Sequence, residues 1–246
     1  ALQKKFPAWQ KQIAEWKTKA PFGYRVTDEV LKSQHMKDHL DGSEDEVILP
    51  QMVIEMLYEL TAGEAILTTG VGQHQMWAGQ YYLSDKPRQL ITSAGLGAMG
   101  FGLPAAIGAK LAEPDSPVFA VCGDGGFQMN IQELATLRRY QIPVKILLLD
   151  NAMLGLVRQW QELFFDGNYS EVDLSDNPDF VEVANAFGIE AFGIERREEV
   201  DGAIDRLINA RGPILAHVRI DPEENVWPLV PPGKSNAEMM EKRHDA

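Results

Sequence analysis

Two stretches of this 246-residue chain, 118–122 (VFAVC) and 146–149 (ILLL), are apolar at every position instead of alternating apolar with polar. A strand with no polar face must be covered on both sides, which is the condition of a central strand in a parallel sheet clad with helices. Around these runs, helix-like patterns over 50–60, 99–112, 130–140, 154–165, 178–187 and 198–209 are interleaved with strand-like patterns. The strands are expected at 64–69, 89–93, 117–122, 144–149, 190–194 and 214–220. That rhythm predicts an α/β fold: a doubly wound, mostly parallel sheet of about six strands with helices on both faces. Ligands of such sheets bind at the carboxyl ends of the strands, so chemistry is to be sought just after each apolar run.

Before this pattern begins, Phe6, Trp9, Ile13 and Trp16 recur at helical spacing and predict an amphipathic helix over 5–18 whose apolar stripe packs on something. A break at 20–23 and an acidic loop at 42–46 follow. Residues 1–46 therefore read as a helical arm or linker from a preceding domain, and 47–246 as the main domain with a C-terminal tail. His35 and His39 have the i, i+4 spacing of a zinc pair, but no third ligand pattern surrounds them and they read as surface residues.

The 23 lysines and arginines against 36 aspartates and glutamates give a net charge of −13, which repels phosphate backbones and anionic lipid, so neither nucleic acid nor membrane is an expected partner. No apolar stretch approaches the ~20 residues needed to span a bilayer. No basic-then-apolar leader opens the chain, and its start at Ala1 reads as mid-protein. Cys122 is the single cysteine, inside an apolar run; it reads as a small buried hydrophobe and suggests a reducing compartment.

The first apolar run ends in Gly123, Asp124, Gly125 and Gly126, the second in Asp150 and Asn151. Asp124 and Asn151 stand 27 positions apart, about one βαβ crossover, so the two side chains should emerge at neighbouring strand ends. A carboxylate, an amide oxygen and nearby carbonyls are the hard donors that magnesium takes when phosphate and water complete its octahedron. The glycines let a phosphate approach the backbone, and the following helix offers N-terminal amides. Alone, either fragment reads as a turn or a helix cap. Together they outline a metal-diphosphate site. A rival reading takes Gly95, Gly97 and Gly100 as a G-x-G-x-x-G dinucleotide fingerprint with Asp124 as its ribose-binding acid, which would make the chain an NAD-binding Rossmann oxidoreductase.

GDGGFQMN at 123–130 followed by LLLDN at 147–151 resembles the fingerprint of thiamine-diphosphate enzymes. The resemblance implies that Asp124, the side-chain oxygen of Asn151 and the main-chain carbonyl of Met153 bind magnesium. Where many members carry a second asparagine this chain has Asp150, which adds a charge. TTGVGQHQMWAGQYY at 68–82 and GLGAMGFGLPAAIGA at 95–109 more narrowly resemble acetohydroxyacid (acetolactate) synthase. By that likeness Val71, Gly72, Gln73 and His74 meet the cofactor, the last two near its diphosphate, and Met99 supports its bent form. Gln73 and His74 can donate hydrogen bonds to an anion and Met99 is an adaptable filler, although ordinary packing is the plain alternative.

LGLVRQWQELFF at 154–165 resembles the family helix that walls the substrate approach. It implies that Leu154, Gly155 and Val157 touch the cofactor and that Trp160 shapes a pocket favouring 2-oxobutyrate; otherwise such a tryptophan reads as core. The tail over 227–240 resembles the family segment that folds near the active-site mouth. The family condenses pyruvate with pyruvate or 2-oxobutyrate, losing carbon dioxide, to give 2-acetolactate or 2-aceto-2-hydroxybutyrate for branched-chain amino-acid synthesis. The resemblance also implies FAD, held mostly by a middle domain, and an activating glutamate from an N-terminal domain across a subunit interface. Homodimers or tetramers, a regulatory small subunit, and a cytoplasmic or plastid location go with it. The 246 residues alone are then expected to be inactive. Another thiamine-diphosphate 2-oxo acid decarboxylase or oxidase, or a non-catalytic interaction module, are the alternatives.

Overall fold

The computed structural model describes residues 6–19 and 48–241. In the first unit, helix α1 (Pro7–Lys19) brings the rings of Trp9 and Trp16 edge to face at 5.4 Å. The break at 20–23, the loop at 42–46, both histidines at 35 and 39, and the boundary at 46/47 lie outside the described residues.

In the second unit six strands form one sheet: β1 (Ile66–Thr69), β2 (Leu90–Thr92), β3 (Val118–Gly123), β4 (Lys145–Asp150), β5 (Glu190–Ile194) and β6 (Ile214–Arg219). Their order is β2-β1-β3-β4-β6-β5 and every pairing is parallel. The helices are α2 (Pro50–Leu60), α3 (Gln73–Tyr81), α4 (Gly102–Ala112), α5 (Asp124–Gln128), α6 (Glu133–Tyr140), α7 (Gly155–Phe164), α8 (Phe180–Ala186) and α9 (Val200–Asn209).

The two apolar runs occupy the middle of this sheet. On one face Val118, Ala120 and Cys122 of β3 with Ile146 and Leu148 of β4 pack against α4, α6 and α8 through Leu103, Leu134, Leu137 and Phe180. The alternate residues Phe119, Val121, Leu147 and Leu149 are equally buried, toward the face carrying α2, α3 and α9. Burial of each such side chain contributes about 1.5–3 kcal/mol, so coverage of both faces, more than strand propensity, fixes these two strands at the centre.

From β1 the chain winds outward to β2, then crosses back over β1 to enter β3 on its other side. The connections leaving β1 and β3 therefore diverge to opposite directions of winding, and a crevice opens between them at the carboxyl edge.

Two departures from the sequence reading bear on that edge. Helix α3 was not expected, because its buried positions 73, 74, 77, 78 and 81 are helically spaced but open with Gln and His. Helix α4 starts at Gly102 and not at 99, since Gly97 (φ +69°) and Gly100 (φ +81°) take left-handed conformations that no α-helix contains.

Gly102 is the close approach that seats α4 on the sheet: a Cβ there would lie 2.6 Å from the Gly70 nitrogen and 2.9 Å from the Thr69 carbonyl carbon. Because both neighbours are backbone, Gly102→Ala is expected to lower stability by about 1–3 kcal/mol in denaturant titration. An unchanged midpoint would show that the helix can slide.

Candidate cofactor and metal site

The connections after β1, β2, β3 and β4 converge on a cavity of about 230 Å³ at the carboxyl edge of the sheet. Val71, Gly72, Gln73 and His74 come from the first; Met99 from the second; Gly123, Asp124, Gly125 and Gly126 from the third. Asn151, Met153, Leu154, Gly155 and Val157 come from the fourth. Trp160 stands apart, two-fifths exposed, in an outer depression with Phe164 and Phe165 that shares Leu156 and Val157 with the cavity.

Three helices begin at this cavity, α3 at Gln73, α5 at Asp124 and α7 at Gly155. Their first-turn amides lack intrahelical acceptors and carry the positive ends of the helix dipoles, an environment suited to a bound anion. Gly72 (φ +145°) makes the turn from β1 into α3 in a conformation that side chains rarely adopt.

Parallel pairing sets Gly123 opposite Leu149, so Asp124 and Asp150 leave β3 and β4 at the same level. Asp150 Oδ2 lies 2.7 Å from His217 Nε2 on β6, and its Oδ1 accepts the Ala152 amide at 2.8 Å. Burial alone would push Asp150 up, but these bonds hold it below the usual carboxylate range. Asp124 Oδ2 accepts a hydrogen bond from Asn177 Nδ2 at 2.9 Å. Burial, and next the charge of Asp150, push Asp124 up to about 7. Two facing acids in a closed site are the arrangement a divalent cation relieves.

Beyond them the chain turns through Ala152 (φ +53°). The Leu154 amide donates to Val172 O and the Leu174 amide to Ala152 O, both at 2.8 Å, so Met153 and Asp173 face each other in an antiparallel bridge. Since the bonds flank this bridge, the N–H and C=O of Met153 turn away from 172–174. The N–H meets Asn151 Oδ1 at 3.3 Å. Carboxylate, amide oxygen and carbonyl are thus a donor set for a hard cation, and the residues present fit magnesium. Among the described residues no group of three His, Cys, Asp or Glu side chains competes as a metal site.

His74 packs between the glycine turns: its ring nitrogens would lie 2.9 Å from a Cβ on Gly70 and 2.7 Å from one on Gly123. Burial lowers its pKa to about 4, and Nε2 has no hydrogen-bond partner among the described residues. It is therefore a neutral imidazole at pH 7 and not a counter-charge. Gln73, for its part, commits its amide nitrogen to Gln159 Oε1 at 3.0 Å and Glu224 O at 3.1 Å.

Asn177, His217 and Gln159 were missed by the sequence reading. Only His217 left a signal, as a lone imidazole in the otherwise apolar strand ILAHV. The dinucleotide reading does not survive the topology: β2, which the glycines follow, is separated from β3, which Asp124 follows, by β1. A ribose-binding acid would need to stand on the adjacent strand.

The chain belongs to the thiamine pyrophosphate enzymes: residues 70–218 match the family described as thiamine pyrophosphate enzyme, C-terminal TPP binding domain. Its similar relatives are more particular. It is 53% identical over 212 residues to the acetolactate synthase isozyme 2 large subunit of Escherichia coli (strain K12), covering 86% of this chain and 38% of that protein. It is 41% identical over 242 residues to acetolactate synthase 2, chloroplastic, of Zea mays, covering 96% and 35%. With acetolactate synthase 3, chloroplastic, of Brassica napus the identity is 43% over 239 residues, covering 94% and 34%. The chain thus spans little more than a third of the length of these relatives. Among the described residues no helix is long and apolar enough to cross a membrane.

The buried imidazole gives a signed pH dependence. Because the folded pKa of His74 is lowered from 6.5 to about 4, its contribution to stability is fully present above pH 6.5 and is lost as pH falls toward 4. In the metal-free protein His74→Gln should flatten that loss, by up to about 3 kcal/mol, in chemical denaturation between pH 7 and 4. Parallel curves for parent and variant would show that the imidazole charges freely.

Proposed function

We propose that this chain provides the diphosphate- and magnesium-binding part of an acetolactate synthase. What carries the reading is that Asp124, Asn151 and Met153 line one cavity at the ends of the adjacent strands β3 and β4, where three helices begin. Asp124, Asn151 and Met153 would hold magnesium, and the first turns of α3, α5 and α7 would take the diphosphate oxygens. Bound thiamine diphosphate would supply the electron sink for decarboxylating pyruvate and passing its two-carbon remainder to a second 2-oxo acid.

The chain's own residues orient and enclose that group. Met99 approaches Gly125, where its Cε lies 3.8 Å from the place of a Cβ, and so narrows the cavity under the bend that the resemblance assigns to the cofactor. Leu154 and Val157 give the cavity an apolar wall that limits water. Trp160, on the same helix, shapes the acceptor side and favours 2-oxobutyrate. Residues 1–46 act as the arm from a preceding domain. FAD, an activating glutamate, dimer or tetramer assembly and a regulatory small subunit belong to the complete enzyme, in cytoplasm or plastid.

Calorimetric titration of thiamine diphosphate with magnesium, without it, and into Asp124→Ala tests the site. Binding that requires magnesium and disappears in the variant is expected; NADH binding in its place would end the reading. Among the described residues no glutamate lines the cavity. Acetolactate formation by the 246-residue chain is accordingly expected to be at background in a colorimetric assay, and turnover above it would overturn the view that the activating acid comes from elsewhere.

A further inference from the structure

Three buried side-chain amides connect the C-terminal segment to the loop that carries Asn151. The Val226 amide donates to Gln159 Oε1 at 2.9 Å, and Gln159 Nε2 donates back to Val226 O at 3.0 Å. Gln159 Oε1 also accepts Gln73 Nε2 at 3.0 Å, and Gln73 Oε1 accepts Asn151 Nδ2 at 3.3 Å. Gln159 and Val226 are fully buried, and Gln73 and Asn151 nearly so.

The oxygen and nitrogen ends of an amide are nearly alike in shape, so a buried amide points whichever way its partners dictate. A peptide unit has no such freedom, because its N–H cannot become an acceptor. Val226 presents one N–H and one C=O to Gln159, and this fixes which end of Gln159 is oxygen. That oxygen then demands a donor from Gln73. The Glu224 carbonyl, 3.1 Å from Gln73 Nε2, enforces the same sense from a second peptide. Gln73 must in turn offer its oxygen to Asn151, which answers with Nδ2. The Asn151 oxygen is left on the other branch, where it receives the Met153 amide. Reversing Asn151 alone would set its oxygen against Gln73 Oε1, two acceptors with no proton between them.

Space enforces the arrangement as well. A Cβ on Gly155 would fall 2.0 Å from Gln73 Oε1 and 2.6 Å from Asn151 Nδ2, so the relay runs directly against the backbone at the start of α7.

We propose that Gln159 is a positioning residue: it transmits the donor and acceptor sense of the Val226 peptide through Gln73 to Asn151, and so presents the Asn151 oxygen to the magnesium. The relay rests on the metal site proposed above. It places the metal ligand under the control of the segment 224–226, more than seventy residues away in the chain.

The test is magnesium-dependent binding of thiamine diphosphate to the 246-residue protein, read as the magnesium concentration at half-saturation. Gln159→Met keeps the length of the side chain and removes both ends of the amide. It should require about 10–100-fold more magnesium. Val218→Ala, a core truncation on β6 that removes no amide of the relay, lowers stability by another route and should shift the requirement less than about twofold. Thermal melting of the metal-free proteins shows that both are folded. If Gln159→Met does not fold, Gln73→Met cuts the relay one link nearer to Asn151 and is read in the same way. An unchanged requirement in the amide variant, or an equal shift in Val218→Ala, overturns the relay while leaving the metal site standing. Absence of magnesium dependence in the parent removes the metal site itself, and the relay with it.

Discussion

The in-register pairing of β3 with β4 is the constraint on which the site depends. Both strands are buried on both faces, so neither can slip by one residue without turning its side chains out of two packed layers at once. With Gly123 held opposite Leu149, the first polar residues beyond the apolar runs emerge side by side. Asp124 begins a helix immediately, whereas β4 runs one residue further before its turn. Asp150 therefore stands beside Asp124, and Asn151 projects into the cavity from the next position. Apolar packing on the two faces of the sheet thus fixes the relation of Asp124 and Asn151, and no contact between the two side chains is needed to do it.

This is also why so much could be read from the sequence. The runs 118–122 and 146–149 declared central strands, and the polar clusters after them marked the sheet edge where the cavity lies. The level at which Asp124 and Asn151 emerge followed from that. What could not be read was how polar side chains satisfy one another across elements distant in the chain. Asn177 sits in a polar stretch, SDNPD, with every mark of a loop, and its bond to Asp124 has no local signature. Helix α3 was hidden for a related reason: Gln73 and His74 are buried at helical spacing, but a pattern search expects apolar residues there. His217 could have been noticed, since an imidazole in a buried strand needs a partner, and Asp150 supplies it.

Helix α7 shows most clearly what periodicity alone does not supply. An amphipathic helix ordinarily turns its apolar stripe, here Val157, Trp160 and Phe164, toward the core. In the structure those three residues are about two-fifths to one-half exposed, whereas Arg158 and Gln159 are buried. The cause lies in what packs against it. The segment 223–226 pairs with no strand among the described residues, and its backbone groups find partners among side chains. Arg158 Nη2 supplies Glu223 O and the Asn225 side chain, Gln159 closes both polar groups of Val226, and Glu162 joins Arg158 to Asn225. A helix facing an irregular backbone must turn its donors inward.

That inversion links two features that would otherwise be separate. Once α7 commits its polar side to the C-terminal segment, its N-terminus is fixed over the cavity and Gly155 comes against Gln73 and Asn151. Its apolar side is then necessarily the one that looks out past Leu156 and Val157 to Trp160, where the outer depression adjoins the cavity. The apolar wall beside the cavity and the amide contacts that hold Asn151 are therefore opposite sides of one helix, and rotating α7 to bury Trp160 would break those contacts. In this fold the exposure of the aromatic stripe and the orientation of Asn151 are one structural choice.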